Sequence, residues 1–279
     1  MTLRSIVASA LAEDIGRGDV TSDATIPPGT RAVGRLVARR NAVVAGLDVA
    51  REVFSQVRGV SWRSRARDGD TVRSGRVVAE VRGRARSILA GERVALNFLQ
   101  RLSGTATLTR AFVDAVKGTG AKILDTRKTT PGLRLLEKAA VRAGGGMNHR
   151  FRLDDAALIK DNHIAASGSI AAAVDELRRL RGPRFRIEIE AQSRSQALTF
   201  AELDIDVLML DNMSPAGMRR LVGELRRIRP RLLIEASGGV TLKTVRAVAK
   251  TGVDWISVGA LTHSAPAADF SLDLVLLRR

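Results

Sequence analysis

The sequence predicts an α/β chain in two parts: an antiparallel β layer first, then a barrel of alternating strands and helices. Three observations predict this. Between residues 30 and 90, short runs alternate apolar and polar residues and are split by Gly and Asp turns, the period-two signature of half-buried antiparallel strands. From Lys122 onward, six short apolar runs alternate with stretches of helical periodicity, the signature of parallel strands joined by right-handed crossovers. Nearly every one of those later runs ends in a charged or Gly-rich group. Functional residues spread over all strand ends favour a closed barrel, since an open doubly wound sheet would gather them at one crevice.

Taken in order, residues 1–20 predict a helix, with Leu3, Ile6, Val7, Ala10 and Leu11 on one face, broken by the Gly16–Asp19 segment. The runs RAVGRLVAR, AVVAGL, VSWRSRA and RVVAEVRG predict the β layer, with one helix near Asp48–Val57. Residues 87–117 predict a long helix whose stripe is Ile88, Leu89, Val94, Ala95, Phe98, Leu99 and Leu102. Arg93 and Arg101 lie on or beside that stripe and read, from spacing alone, as surface arginines with snorkelling stems. The later strands are KILDTRKT, AALIKDN, RFRIEIE, DVLMLDN, RLLIEASGG and WISVGA. Helices are expected between them at Gly168–Leu180, Gln196–Leu203, Pro215–Ile228 and Leu242–Lys250. Ser193, Ser214 and Thr241 serve as N-caps, and Pro215 takes the first helical position. The expected division is 1–103 and 104–279, with the last residues able to pack back on the first part.

Composition narrows the class. Apolar residues make up 45% of the 279, ordinary for a globular protein. No apolar run approaches the roughly 20 residues that span a bilayer, and the N-terminus is too interrupted by charge for a secretory signal. A cytoplasmic protein is expected. The absence of cysteine excludes disulfides, thiolate catalysis and cysteine-ligated metals. The net charge of +17 suggests an anionic partner. Nucleic acid is a poor fit, because aromatics are only 3% and no Tyr is present, whereas single-strand platforms need aromatic faces. Only seven of the 46 basic residues are Lys, and Lys128, Lys138 and Lys160 all fall between Lys122 and His163. Retained lysines in an arginine-rich chain suggest that compact point charges are wanted there.

The Lys122–His163 stretch carries the functional argument. Its two apolar runs end in cations, Arg127 and Lys128 after the first and Lys160 after the second. Arg134, Lys138, Arg142, a Gly144–Gly146 turn and the His149–Arg150 pair lie between. Like charges repel, so a polyanionic ligand explains the gathering better than stability does. In a barrel, Arg127, Lys128, Lys160, Glu190, Asp211, Ser237–Gly238–Gly239 and Val258–Gly259–Ala260 converge on the carboxyl-end face. The late Gly-rich ends, with a helix N-terminus after Thr241, suit a phosphate. Glu190 and Asp211 either pair with Lys128 or Lys160 or hold Mg²⁺, which takes one or two carboxylates and fills its shell with water and phosphate. Glu188 faces the same way as Glu190 and either supports the site or pairs with a cation. His149 lacks a second His at ligand spacing, so it reads as a hydrogen-bond donor to a carboxylate and not as a metal ligand. His163 and His263 read as making local structural contacts.

The segments TRKTTPGLR, EKAAVRAGGGMNHR and LIKDNHI resemble the quinolinate phosphoribosyltransferases, and the likeness runs from EDIGRGDVTS through GERVALNFLQRLSGTAT to VGALTHSA. The resemblance implies an N-terminal α/β sandwich domain, an incomplete α/β barrel and a homodimer. It implies conversion of quinolinate and phosphoribosyl pyrophosphate to nicotinate mononucleotide, pyrophosphate and CO₂, with Mg²⁺ as cofactor. It places the quinolinate-binding cations on Arg127, His149, Arg150 and Lys160, and makes Arg93 a residue donated by the neighbouring subunit. Lys128, Glu190 and Asp211 fall on the phosphoribosyl and Mg²⁺ side, Thr126 in the substrate site, and the SGG and VGA segments on the 5-phosphate. Ala139 and Arg152 stand where the family often has Tyr and Gly. Two other readings remain from the residues alone: a Schiff-base aldolase using Lys160, and a basic nucleic-acid-binding module.

Overall fold

The alternating stretch becomes an antiparallel sheet, as its period requires. In the computed structural model, which describes residues 2–277, strand Arg31–Ala38 pairs with Val77–Arg84, which pairs with Val60–Ser64. The fourth strand, Phe270–Leu276, comes from the other end of the chain and pairs with Arg31–Ala38 from Ala32↔Leu276 to Ala38↔Phe270. The long helix Ala85–Ala115 anchors that return. Gln100 Nε2 donates to the Phe270 carbonyl at 2.8 Å, and Ala268 N donates to the Gln100 carbonyl. A Cβ at Gly104 would sit 2.0 Å from the Pro266 carbonyl oxygen, so the close approach needs glycine. Helix Leu47–Val57 buries Val53 and Phe54 in the same core with Leu36, Ile88 and Leu99.

The chain divides into two compact units that do not follow one cut in sequence. The first comprises residues 2–110, 129–145 and 260–277, the second residues 111–128 and 146–259. The first contains a helix at Arg134–Ala143 that the sequence analysis left unassigned. Its Glu137 and Lys138 are fully buried. Arg101 donates to Glu137 Oε1 at 2.9 Å and to the Thr262 carbonyl, while Thr130 donates to the same carboxylate through its N–H and hydroxyl. Arg101 is therefore the centre of a hydrogen-bond network and not a snorkelling surface residue. Spacing along one helix could not show it, because its acid sits 36 residues away.

The second unit is the parallel sheet. Strands Lys122–Leu124, Ala157–Ile159, Ile187–Ala191, Val207–Asp211, Leu233–Ser237 and Trp255–Ser257 are all present. From one edge they run in chain order from Ala157–Ile159 to Trp255–Ser257, and then comes Lys122–Leu124, the first of the six. Such cyclic order has no reversal point and belongs to a barrel with one opening, between Lys122–Leu124 and Ala157–Ile159. The segment after the glycines lines the first edge of that opening: Met147 N donates to the Ile123 carbonyl and Asp125 N to the Met147 carbonyl. From the same segment, Arg150 Nη1 reaches the Ala156 carbonyl, just before the second edge strand, at 2.9 Å.

Helices Arg194–Ala201 and Pro215–Ile228 begin at Ser193 and Ser214 as expected. Two expected helices differ. Gly168, with φ +71, separates Asp161–Ser167 from Ile170–Arg181. The helix after the SGG turn spans only Val245–Ala249, because Thr241 closes a tight turn whose carbonyl accepts from Thr244 N and Val245 N. In the first unit the N-terminal helix ends at Ile15, and a second, Val20–Thr25, starts on the Asp19 cap.

Candidate active site

Period two sends Glu188 and Glu190 to one face of their strand, and both are buried. At the strand ends Lys160 Nζ meets Glu190 Oε2 at 2.6 Å, so the ion pair considered for Glu190 is present. Asp211 ends the next strand. Burial, and then the charge of Glu190, pushes its carboxyl above the usual range, while Lys160 and Lys128 pull it down. The four side chains thus share one local field. Asn212 steadies Asp211, donating to its Oδ2 at 2.6 Å, and its own N–H donates to the Ser237 carbonyl at 2.9 Å. A Cβ at Gly238 would lie 2.1 Å from Asn212 Oδ1, and its φ is +92, so the interlock requires glycine. Gly239, at φ +59, faces open space. Ser237, Gly238 and Gly239 lie at the end of one strand, and Val258 and Gly259 at the end of the next. The helix that follows SGG spans five residues, Val245–Ala249.

The cation group is built from the opening of the barrel. Asp125, fully buried after the Lys122–Leu124 strand, accepts from His149 N at 2.8 Å and from the Asn148 side chain. This holds the His149–Arg150 pair inside. Arg150 is itself buried, and desolvation first, then the charge of Arg127, pulls its guanidinium below its ordinary value, against Glu188 and Asp155. Thr126 Oγ1 accepts from Lys128 N at 3.0 Å and shapes the turn that carries both cations. A cavity of about 460 Å³ opens beside Arg150, lined by Asn148, His149, Phe151, Ala156 and Arg186 among others, on the side where strands Ala157–Ile159 and Ile187–Ala191 begin.

Behind these cations is a polar layer only half anticipated. His149 Nε2 lies 2.9 Å from Glu188 Oε2 and 3.6 Å from Glu235 Oε2, and Ser257 Oγ donates to Glu235 Oε1. Glu188 was expected to support the site or pair with a cation; Glu235 was missed. Its signal was present, a single acid inside the apolar run RLLIEAS. Three such groups within 4.8 Å could suggest a metal centre. The tautomer argues against it. His149 Nδ1 accepts from Arg150 N at 2.8 Å, so the ring proton is on Nε2, the only nitrogen that faces the carboxylates. His163 Nδ1 accepts from Lys160 N, and His263 Nδ1 meets Ser264 Oγ, both local contacts as expected.

Arg93 is exposed on the long helix of the first unit, and Ala260 begins the short helix Ala260–His263 there. Neither is placed here with the second unit's cluster.

The family model for the N-terminal domain of quinolinate phosphoribosyl transferase matches residues 19–103, and that for its C-terminal domain matches residues 105–273. The Mycobacterium leprae protein named nicotinate-nucleotide pyrophosphorylase [carboxylating] is 46% identical over 278 residues, covering 97% of this chain and 96% of that one. The Bacillus subtilis protein named as a probable enzyme of that kind is 43% identical, covering 99% and 94%. The crystal structure of NadC from Streptococcus pyogenes superposes with a TM-score of 0.93 at 41% identity, covering 99% and 97%.

Proposed function

Since the chain belongs to the quinolinate phosphoribosyltransferase family, its reaction is the decarboxylating transfer of phosphoribosyl to quinolinate in NAD biosynthesis, and we propose that the strand-end cations hold the diacid. One observation carries the assignment. Arg127 and Arg150 are held near enough for one charge to depress the other, in surroundings that burial has dried. A dianion is what relieves two cations so placed. Arg127, Arg150 and Lys160 take the two carboxylates through charge-assisted hydrogen bonds, each worth about 1.5–3 kcal/mol. His149, with both ring nitrogens on the protein, serves by keeping Arg150 in place.

Phosphoribosyl pyrophosphate lies on the Lys128, Glu190 and Asp211 side. The backbones of Ser237, Gly238, Gly239, Val258 and Gly259 receive its 5-phosphate, and Thr126 shapes the turn between the two substrates. Glu190 and Asp211 are two hard carboxylates at neighbouring strand ends, and burial and then the charge of Glu190 raise the Asp211 carboxyl. That donor set fits Mg²⁺, which when bound supplies positive charge for the departing pyrophosphate. The ring nitrogen attacks the anomeric carbon as the carbon–oxygen bond to pyrophosphate breaks. Lys128 and Lys160 stabilise the leaving charge by preorganised electrostatics. No general base is needed, because the ring nitrogen already carries a lone pair. The pyridinium then holds the electron pair left on C2 when CO₂ departs, until C2 takes up a proton. The enzyme is a cytoplasmic homodimer in this reading, and Arg93 of one subunit completes the site of the other.

The test replaces quinolinate with nicotinate in the presence of phosphoribosyl pyrophosphate and Mg²⁺. Nicotinate mononucleotide should form from quinolinate and hardly at all from nicotinate. Equal turnover of the two would remove the carboxylate-pair assignment. For the shared site, Arg93→Ala and Lys160→Ala enzymes, each strongly impaired, should regain turnover when mixed, and no regain counts against it.

A further inference from the structure

The polar layer behind the cations has a property that the reaction as described does not use. Glu188 and Glu235 point into the barrel from two strands: Glu188 lies two residues before Glu190 on its strand, and Glu235 is in register with Glu190 through Met209. They are 1% and 0% exposed, so neither is hydrated. The charged and titratable groups that face Glu235 are Glu188, His149 and Arg186; Ser257 is its hydrogen-bond partner. Arg186 also stacks over the Trp255 ring at 5.3 Å. One imidazole N–H therefore serves two carboxyl groups in a dry site. Glu188, at 2.9 Å, takes it, and Glu235, at 3.6 Å, is left with an oxygen that no donor reaches. Two carboxylates so placed do not both ionise at neutral pH.

Resting on the assignment of Arg150 to the quinolinate carboxylates, we propose that Glu235 is a positioning residue for that substrate: carried as the neutral acid, it leaves the His149 Nε2–H to Glu188 alone, and the ring so fixed holds the Arg150 backbone through Nδ1. Burial, and then the charge of Glu188, raises the Glu235 carboxyl from 4.5 to about 8, so the acid is neutral at pH 7. Above that, a second carboxylate competes with Glu188 for the single Nε2–H. The ring is then no longer fixed on one partner, and its Nδ1 no longer holds Arg150 N in one place.

The test is steady-state kinetics of the full enzyme from about pH 6 to about pH 9.5, varying each substrate in turn. The wild type should show quinolinate KM rising above about pH 8, with KM for phosphoribosyl pyrophosphate nearly flat. Glu235→Gln keeps a neutral hydrogen-bonding side chain and should lose the alkaline rise. Glu235→Leu should raise quinolinate KM about 10-fold across the range, a shift of about 1.4 kcal/mol. Histidine ¹⁵N spectra at pH 7, simple with three histidines, should show His149 as the Nε2–H tautomer in the wild type and in Glu235→Gln. An alkaline rise that persists in Glu235→Gln, or its absence in the wild type, overturns the proposal while Arg150→Ala still raises quinolinate KM. If Arg150→Ala leaves that KM unmoved, the assignment beneath it fails instead.

Discussion

The two ends of the barrel strands use the same residue types for opposite purposes. At the amino ends, Arg178 and Arg226 reach from their helices to Asp206 and Asp254, at 3.0 and 2.6 Å. Each aspartate oxygen also accepts a strand N–H, Ile187 N at 2.8 Å and Ile234 N at 2.7 Å. Arg229 adds bonds to the Leu203 and Ile205 carbonyls. Here the charges are matched and the backbone is closed off. In the barrel opening Arg127 and Arg150 repel, and at the carboxyl ends burial and then the charge of Glu190 push Asp211 up. A matched network stabilises whether or not a ligand is present, whereas a strained one is relieved by the ligand. The contrast also accounts for part of the arginine excess: several arginines tie helices to the next strand and are not part of an anion site.

The contrast should break most sharply at Lys160. Lys160→Ala should lower kcat about 10²–10³-fold, the scale seen when one preorganised charge is removed, with little change in thermal stability; a lower Tm and normal turnover would erase the distinction. Arg150→Ala should raise quinolinate KM about 10–100-fold, as the loss of a charge-assisted contact requires. At the opposite end, Asp254→Ala orphans the Ile234 N–H and takes away the carboxylate partner of Arg226; it should cost about 1–3 kcal/mol in denaturant unfolding, while kcat/KM stays within about two-fold of the wild type. Glu235 sharpens the comparison through pH. Its folded value is raised, so its neutral form favours the fold fully below pH 4.5, and that contribution is lost as pH rises towards about 8. Glu235→Gln should flatten this fall in Tm, and an unaltered slope would assign it to other groups. The smallest effect belongs to the exposed pair Arg179–Glu176, 2.6 Å apart within one helix turn. Arg179→Ala should leave Tm and kinetics unmoved, as screened surface pairs do.

Much of the site was readable because it follows strand grammar. Lys128, Lys160, Glu190 and Asp211 each stand where an apolar run meets polar residues, and a parallel barrel brings such positions together. Asp125 and Glu235 were harder to find. Each is one polar residue at or inside an apolar run, and only the buried His149 shows what it is for. The helix Arg134–Ala143 could have been found from its helix formers and the glycine after it.

The order of strands and helices, the cyclic barrel and the identity of the strand-end charges were determined by the sequence itself, because periodicity and turn chemistry act over a few residues at a time. Which arginines are structural, which tautomer His149 adopts and which of two glutamates keeps its proton were decided only by tertiary structure. Those depend on desolvation and on distances between residues tens of positions apart, and no local pattern carries either.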